Sequence, residues 1–426
     1  MEKQDIVACG RHLCSNKTLS LQATSPQVGK AMNTVWQFAT SPTIRFGRGC
    51  LNGLAHCLIQ RQIRRPIVVS DPVVLSIPAV ESVIQSLDPV VESKQIFAGG
   101  QAEPTVATAE AAIAAAKAID ADAVIGIGGG SNMDVAKIVA VILNHGGTAE
   151  DYFGFDRIPG PVAPVIAVPT TAGTGSEVSH SAVLTDQQAR VKVSTLSPFL
   201  RPCLALVDPS LTDSCPPQVT AHSGIDALVH AIEALTNRSF ESMESDSKAY
   251  EGSYGLTTLL AMESINLIHK FLIRAFEQGN DQRARDGMSY AALLAGMAFS
   301  NSGVGLVHAL EYPIGALTHC SHGEGNGLLL PYVMEFNKPM CAGTLRSIAS
   351  IFLSKPPEIC SSEDAIDAVF KLQKKLGIRT RLKELGLAAD QLASVAEKAI
   401  AIERLMTVTA RRPTLDDLHS ILQSAY

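Results

Sequence analysis

The chain has 426 residues, enough for more than one hydrophobic core, and its 46% hydrophobic and 18% charged residues exclude a disordered protein. A formal net charge of −6 with a pI near 6.0 and no basic run exclude nucleic acid as a partner, because a phosphate backbone would find few positive contacts. No uninterrupted apolar run reaches the roughly 20 residues of a bilayer span, and acids at Glu2 and Asp5 without a following apolar segment argue against a secretory signal, so a soluble, cytoplasmic protein with no membrane partner is expected.

Residues 1–35 read as an N-terminal extension in which Arg11, Lys17 and Lys30 are too sparse to make a strong organelle address. From about Thr43 to Asp208, short β-branched runs alternate with Ala-rich stretches, the pattern of a parallel sheet wrapped by helices. Pro66–Ser70, Ala123–Ile127, Pro164–Val168 and Leu204–Val207 are predicted as buried strands, and the alanines of Thr105–Ile119 predict a helix. The punctuation of Thr212–Gln218 then marks a boundary. Beyond it, Ala221–Thr236, Asp246–Gln278, Asp281–Asn301 and Ala365–Leu376 repeat apolar residues at three and four positions and predict helices. The expected organisation is an α/β domain over 36–211 and an all-α domain over 212–426. Nine scattered cysteines (Cys9, Cys14, Cys50, Cys57, Cys203, Cys215, Cys320, Cys341 and Cys360) lack the close pairs of a zinc ribbon or redox site and are expected as free thiols.

Two polar glycine loops follow predicted strands. Gly128-Gly-Gly-Ser131, with Asp134 three residues on, opens an apolar helix whose bare N–H groups suit a pyrophosphate; an ordinary strand-to-helix turn has the same pattern. Pro169-Thr-Thr-Ala-Gly-Thr174 offers hydroxyls beside glycines and reads either as a cofactor loop or as a self-satisfied surface turn. Ligands bind at the C-terminal ends of parallel strands, so two such loops together favour a dinucleotide. Asp71, closing the first strand, is placed to accept from an adenosine ribose and to repel a 2′-phosphate, which favours NAD over NADP; a turn or cap role is the alternative.

In the helical half, Asp226 and His230 stand four apart and share one helix face, where one cation reaches both; a local hydrogen bond or ion pair is the alternative reading of the pair. His308, in Gly305-Leu-Val-His-Ala-Leu-Glu-Tyr312, and His322, in Ser321-His-Gly-Glu324, sit in apolar, glycine-lined settings. Each alone fits a satisfied core histidine; as a set, three neutral imidazoles and one carboxylate leave a divalent ion a net charge near +1, suited to an alkoxide or a carbonyl oxygen.

These motifs, in this order and spacing over about residues 40–400, closely resemble the iron-containing alcohol dehydrogenase family, which is similar in design to glycerol dehydrogenase and dehydroquinate synthase. The Leu206-Val-Asp208-Pro segment adds to the match. The resemblance implies a dehydroquinate synthase-like fold: an N-terminal dinucleotide-binding α/β domain, a helical metal-binding domain and a site in the cleft between them. It also implies Asp226, His230, His308 and His322 as ligands of Fe²⁺ or Zn²⁺. Gly129, Gly130, Ser131, Asp134, Thr170, Thr171, Thr174 and Lys192 are implied at the dinucleotide, with Asp71 at its ribose. A homo-oligomer, a dimer by preference, is implied as well. There are two departures. Tyr312 stands where many members have a second histidine, and a phenol with an ordinary pKa near 10 is a poor shuttle at neutral pH. Glu103 stands where an asparagine often precedes the proline of Pro104-Thr105.

The expected activity is hydride transfer between an NAD cofactor and a small alcohol or its aldehyde or ketone, needing no side-chain nucleophile. The proton leaves through water or the cofactor ribose, with Tyr312 and His319 as nearby titratable groups, while Glu311, Tyr312 and Glu324, near the implied ligands, read either as tuning substrate preference or as exposed or helix-capping residues. A metal- and NAD-dependent lyase of the dehydroquinate synthase type and a noncatalytic scaffold of the same fold are the alternatives.

Overall fold

The computed structural model describes residues 33–187, 191–243 and 249–426, and residues 33–426 form one compact unit. Most of the expected N-terminal extension, Cys9, Cys14 and the first positions of the helix expected from Asp246 lie outside the described residues.

The N-terminal α/β part is built on strands β1 (Ile44–Phe46), β2 (Pro66–Val69), β3 (Gln95–Phe97) and β4 (Ala123–Gly128), then β5 (Gly154–Phe155), β6 (Val165–Pro169), β7 (Ser181–Asp186), β8 (Val191–Leu196) and β9 (Leu204–Val207). β2, β4, β6 and β9 are fully buried runs of aliphatic residues, as expected of parallel strands covered on both faces. They form a parallel sheet in the order β1-β9-β6-β4-β2-β3. The helices Val106–Lys117 and Gly130–His145 pack Ala109, Ala112, Val135 and Val139 against one face; Leu54, Leu58, Val80 and Ile84 pack on the other. The Ala-rich helix is capped by Thr105, whose hydroxyl accepts from Thr108 N–H at 3.1 Å.

The alternation of β-branched runs does not disclose a second, smaller sheet in the order β5-β8-β7. In it β7 and β8 pair antiparallel, Ser181 facing Leu196 and Asp186 facing Val191. Burial alternates only over the first four residues of β7, with Ala182 and Leu184 inward, and is irregular along β8, so the period is short and one-sided.

From Pro217 onward the chain is helical, in the helices Pro217–Thr236, Gly255–Glu277, Gln282–Ser302, Leu306–Thr318, His322–Leu353 and Ser362–Leu376, followed by shorter ones. Among the described residues one helix, Gly255–Glu277, is long and apolar enough in composition to cross a membrane. It is two-sided: Ala261, Ile265, Ile268, Leu272 and Ala275 are buried, while Glu263, Lys270 and Arg274 are exposed, the pattern of a bundle helix. The seven described cysteines are free thiols.

Candidate metal centre and cofactor cleft

Pairing β4 with β6 sets Gly128 opposite Pro169, and Thr170 N–H donates to the Gly128 carbonyl at 2.9 Å. The two glycine loops therefore leave the sheet side by side. Gly128 has φ +145°, a conformation open to glycine and costly for other residues. It turns the chain into the helix Gly130–His145, whose N-cap, Gly129, provides no side-chain cap. The first N–H groups of that helix are left for an outside acceptor. Asp134 pins the next loops: its Oδ1 accepts from Ser176 Oγ at 2.7 Å and its Oδ2 from Val183 N–H at 3.0 Å. Beneath it the fully buried Lys137 donates to Ser176, Ser179 and the Ser181 carbonyl, and burial pushes its pKa down to about 8.

A cavity of about 820 Å³ runs from these loops into the helical part, with Gly129, Gly130, Ser131, Asp134, Thr171, Thr174 and Lys192 on its wall. The Thr171 hydroxyl is buried without a hydrogen-bond partner, whereas Ser131 donates to the Ala102 carbonyl at 2.6 Å. Asp71 and Thr170 do not line the cavity. Asp71 Oδ1 caps the short helix Pro72–Leu75 and its Oδ2 accepts from Asn132 at 2.8 Å; Thr170 is buried behind Gly128. Lys192 is held between Glu311 at 3.1 Å and Glu103 at 3.2 Å. Burial opposes its charge, and the two carboxylates outweigh that and raise its pKa.

The same cavity is also lined by Asp226, His230, His308 and His322. Asp226 and His230 project from one face of the helix Pro217–Thr236, His308 from the helix Leu306–Thr318 and His322 from the first position of His322–Leu353. Asp226, His230 and His308 bring ligand atoms within 4.8 Å of one another, and all three are buried. His322 joins them with its ring centroid 5.3 Å from that of His308. Its approach needs Gly323, where a Cβ would collide with the His222 backbone carbonyl of the facing helix. Gly323→Ala is expected to push the helices apart, destabilise the fold by about 1–3 kcal/mol and weaken metal binding, read by denaturant unfolding and chelator competition.

Buried carboxylates orient two of the imidazoles. His308 Nδ1 meets Glu233 Oε2 at 2.5 Å, while Glu233 Oε1 accepts from Val307 N–H at 2.7 Å. His322 Nδ1 meets Glu311 Oε2 at 2.6 Å. With the Nδ1 protons assigned to these contacts, both Nε2 lone pairs are left available to coordinate. The two facing Nε2 atoms of His230 and His308 lie 3.2 Å apart, and His230 Nδ1 is a buried atom with no partner. Burial pushes the His230 pKa down to about 4 against the pull of Asp226, keeping the ring neutral. Burial works against the Asp226 carboxylate too, but the three histidines outweigh it and lower its pKa. Three imidazole nitrogens around one carboxylate, available to coordinate once their rings are deprotonated, fit a divalent cation.

Two members of this site do not stand out in the sequence. Glu233 lies three residues after His230 and Asn326 four after His322, so the helical spacing that pairs Asp226 with His230 also reaches them. Asn326 Nδ2 donates to Asp226 Oδ1 at 2.8 Å and stands 3.2 and 3.1 Å from the Nε2 atoms of His308 and His322. Replacing Glu233 with Gln is expected to lower metal affinity by about 10–100-fold with little change in the apo-protein's circular dichroism; unchanged affinity would deny it an orienting role.

Residues 41–209 match the family model "Iron-containing alcohol dehydrogenase", and residues 220–426 match "Fe-containing alcohol dehydrogenase family, C-terminal". The chain belongs to the iron-containing alcohol dehydrogenase family. It is therefore a metal-dependent oxidoreductase of alcohols and aldehydes. Within the family, the chain is 35% identical over 395 residues to long-chain-alcohol dehydrogenase 1 of Geobacillus thermodenitrificans, covering 90% of this chain and 95% of that one. The crystal structure of a 1,3-propanediol oxidoreductase superposes with a TM-score of 0.85 at 28% identity, covering 92% of this chain and all of the other. Sulfoacetaldehyde reductase from Bifidobacterium kashiwanohense in complex with NAD⁺ superposes with a TM-score of 0.79 at 28% identity, covering 92% of this chain and 99% of that one.

Proposed function

We propose that the chain transfers hydride between NAD and a primary alcohol or its aldehyde, with Asp226, His230, His308 and His322 holding Fe²⁺. One observation carries the reading: the four donors and the uncapped helix start at Gly129–Gly130 line the same cavity. When bound, the metal supplies Lewis acidity toward an oxygen and the nicotinamide supplies a hydride acceptor.

The chain's own residues do the positioning. The N–H groups at Gly129, Gly130 and Ser131 are offered to the pyrophosphate, and the hydroxyls of Thr171 and Thr174 lie along the same path. Lys192, fixed by Glu311 and Glu103, presents a rigid cation to the cofactor. Asp71 keeps its proposed place at the adenosine ribose, sharing Oδ2 with Asn132. Glu233 and Glu311 hold the protons of His308 and His322 on Nδ1, leaving Nε2 free to coordinate. Phe299 stacks on His230 with centroids 4.3 Å apart and closes the site on its apolar side. The complex of the related reductase with NAD⁺ supports NAD as the cofactor. A division of the chain at 212, cytoplasmic location and a dimer belong to the same proposal, on family resemblance.

The test is a panel of alcohols and aldehydes offered to protein loaded separately with Fe²⁺ or Zn²⁺, followed by NADH absorbance. Sustained NADH formation from the alcohols and NADH consumption by the aldehydes are expected, both faster with Fe²⁺. Substrate consumption without net NADH would replace this reading with the dehydroquinate synthase-type lyase. No turnover in any arm, with cofactor affecting only assembly size, would favour a scaffold.

A further inference from the structure

Three basic side chains line the cavity: Lys192, Arg379 and Arg404. Two of them have carboxylate partners, Lys192 with Glu311 and Glu103 and Arg379 with Glu324 at 3.5 Å. Arg404 has no carboxylate partner among the described residues. Its Nη2 donates to Ser194 Oγ at 2.9 Å, and its guanidinium carbon lies 5.8 Å from the centroid of the Tyr312 ring. Burial disfavours its charge, and the neighbouring phenols of Tyr312 and Tyr250 favour it.

Its position identifies which part of the cavity it serves. The Tyr312 ring lies 6.2 Å from the ring of His322, and Ser194 is two residues beyond Lys192 on β8, on the same strand face. Arg404 therefore stands on the cavity wall one aromatic ring, that of Tyr312, away from His322. The phosphates of a dinucleotide already have the helix start at Gly129–Gly130. A guanidinium carries five N–H donors in a planar fork that matches a carboxylate in two-point contact. A partly buried cation without a carboxylate partner among the described residues, one ring away from the proposed metal ligands in the same cavity, asks for an anionic substrate.

We propose that Arg404 is a specificity-determining residue that takes the carboxylate of an ω-hydroxy acid, or of the matching ω-oxo acid, whose reacting end sits at Asp226, His230, His308 and His322. The inference rests on the dehydrogenase reading for its reacting end, while the carboxylate contact is measurable without turnover.

The experiment compares kcat/KM for ω-hydroxycarboxylates of increasing chain length with that for α,ω-diols of equal length, in the wild-type enzyme, Arg404→Met and Arg404→Lys. Calorimetric titration of butanoate into the metal- and NAD-loaded proteins runs alongside. The wild-type enzyme is expected to favour the carboxylates, and Arg404→Met to lower the carboxylate-to-diol ratio by roughly 10–100-fold. Arg404→Lys should recover part of the ratio, since it keeps the charge without the fork. Butanoate binding should weaken in parallel with the ratio. A purely structural arginine would depress both substrate classes together and leave the ratio unchanged, which overturns the proposal, as would butanoate binding that is indifferent to residue 404. If the wild-type enzyme oxidises neither class yet binds butanoate only when Arg404 is intact, the dehydrogenase reading fails and the anion site stands.

Discussion

His308→Ala is expected to abolish stoichiometric metal binding and to lower alcohol turnover by about 10³-fold or more, because several kcal/mol of charge stabilisation disappear with the cation. The substitution removes one of the three buried donors that converge within 4.8 Å. It also strips Glu233 of its partner at 2.5 Å, leaving a carboxylate that is only 4% exposed with the Val307 N–H alone. The measurement is metal content by mass spectrometry on the purified variant, with turnover before and after Fe²⁺ is added back. Circular dichroism reports whether the helices persist. Full activity in a metal-free variant would rule out the proposed site.

Glu311→Gln is expected to act on both stability and metal affinity. Glu311 is fully buried and bridges two groups, His322 Nδ1 at 2.6 Å and Lys192 Nζ at 3.1 Å. Burial disfavours its charge, but His322 and Lys192 outweigh that and hold the carboxyl at about 2. Replacing it with a neutral amide leaves Lys192 to Glu103 alone. Breaking a buried pair in this way costs about 3–5 kcal/mol. Loss of the carboxylate behind His322 lowers metal affinity by a further 10–100-fold, roughly.

The acid side adds a sign test for the same residue. The folded-state pKa lies below the ordinary value of 4.5, so the unfolded chain binds the proton more readily. The carboxylate's contribution to stability is therefore complete above pH 4.5 and lost as the pH falls toward 2. Denaturant unfolding of the metal-free proteins should show a steeper loss of stability across that window in the wild type than in Glu311→Gln. Parallel pH profiles would mean that Glu311 is not the group responsible.

Several features of the site are legible in local pattern. The buried strands at 66–69, 123–128, 165–169 and 204–207 announce themselves because parallel strands covered on both faces need uninterrupted aliphatic runs. The 3.6-residue period places Asp226 and His230 on one face from their spacing alone. That period says nothing about which other helix lies opposite, so the convergence of His308 and His322 on the pair comes from packing between segments about 80 and 95 residues away. Glu311 shows the same limit: its sequence neighbours are apolar, and its partners, His322 and Lys192, lie on a different helix and on β8. The antiparallel β7–β8 pair escapes the period-two reading because β7 alternates over only four residues and β8 has no clean buried face.

Residue type and spacing alone determined an α/β half followed by a helical half, glycine loops at strand ends, and a supply of carboxylate and imidazole donors at helical intervals. These are local properties, set by backbone geometry within a few residues. Tertiary structure alone decided that Gly128 pairs with Pro169 so that two loops form one cofactor wall, that Gly323 lets His322 approach Asp226, and that Arg404 reaches the same cavity without a carboxylate partner among the described residues. Such outcomes depend on which surfaces bury each other, and burial is a property of the whole chain that no short window contains.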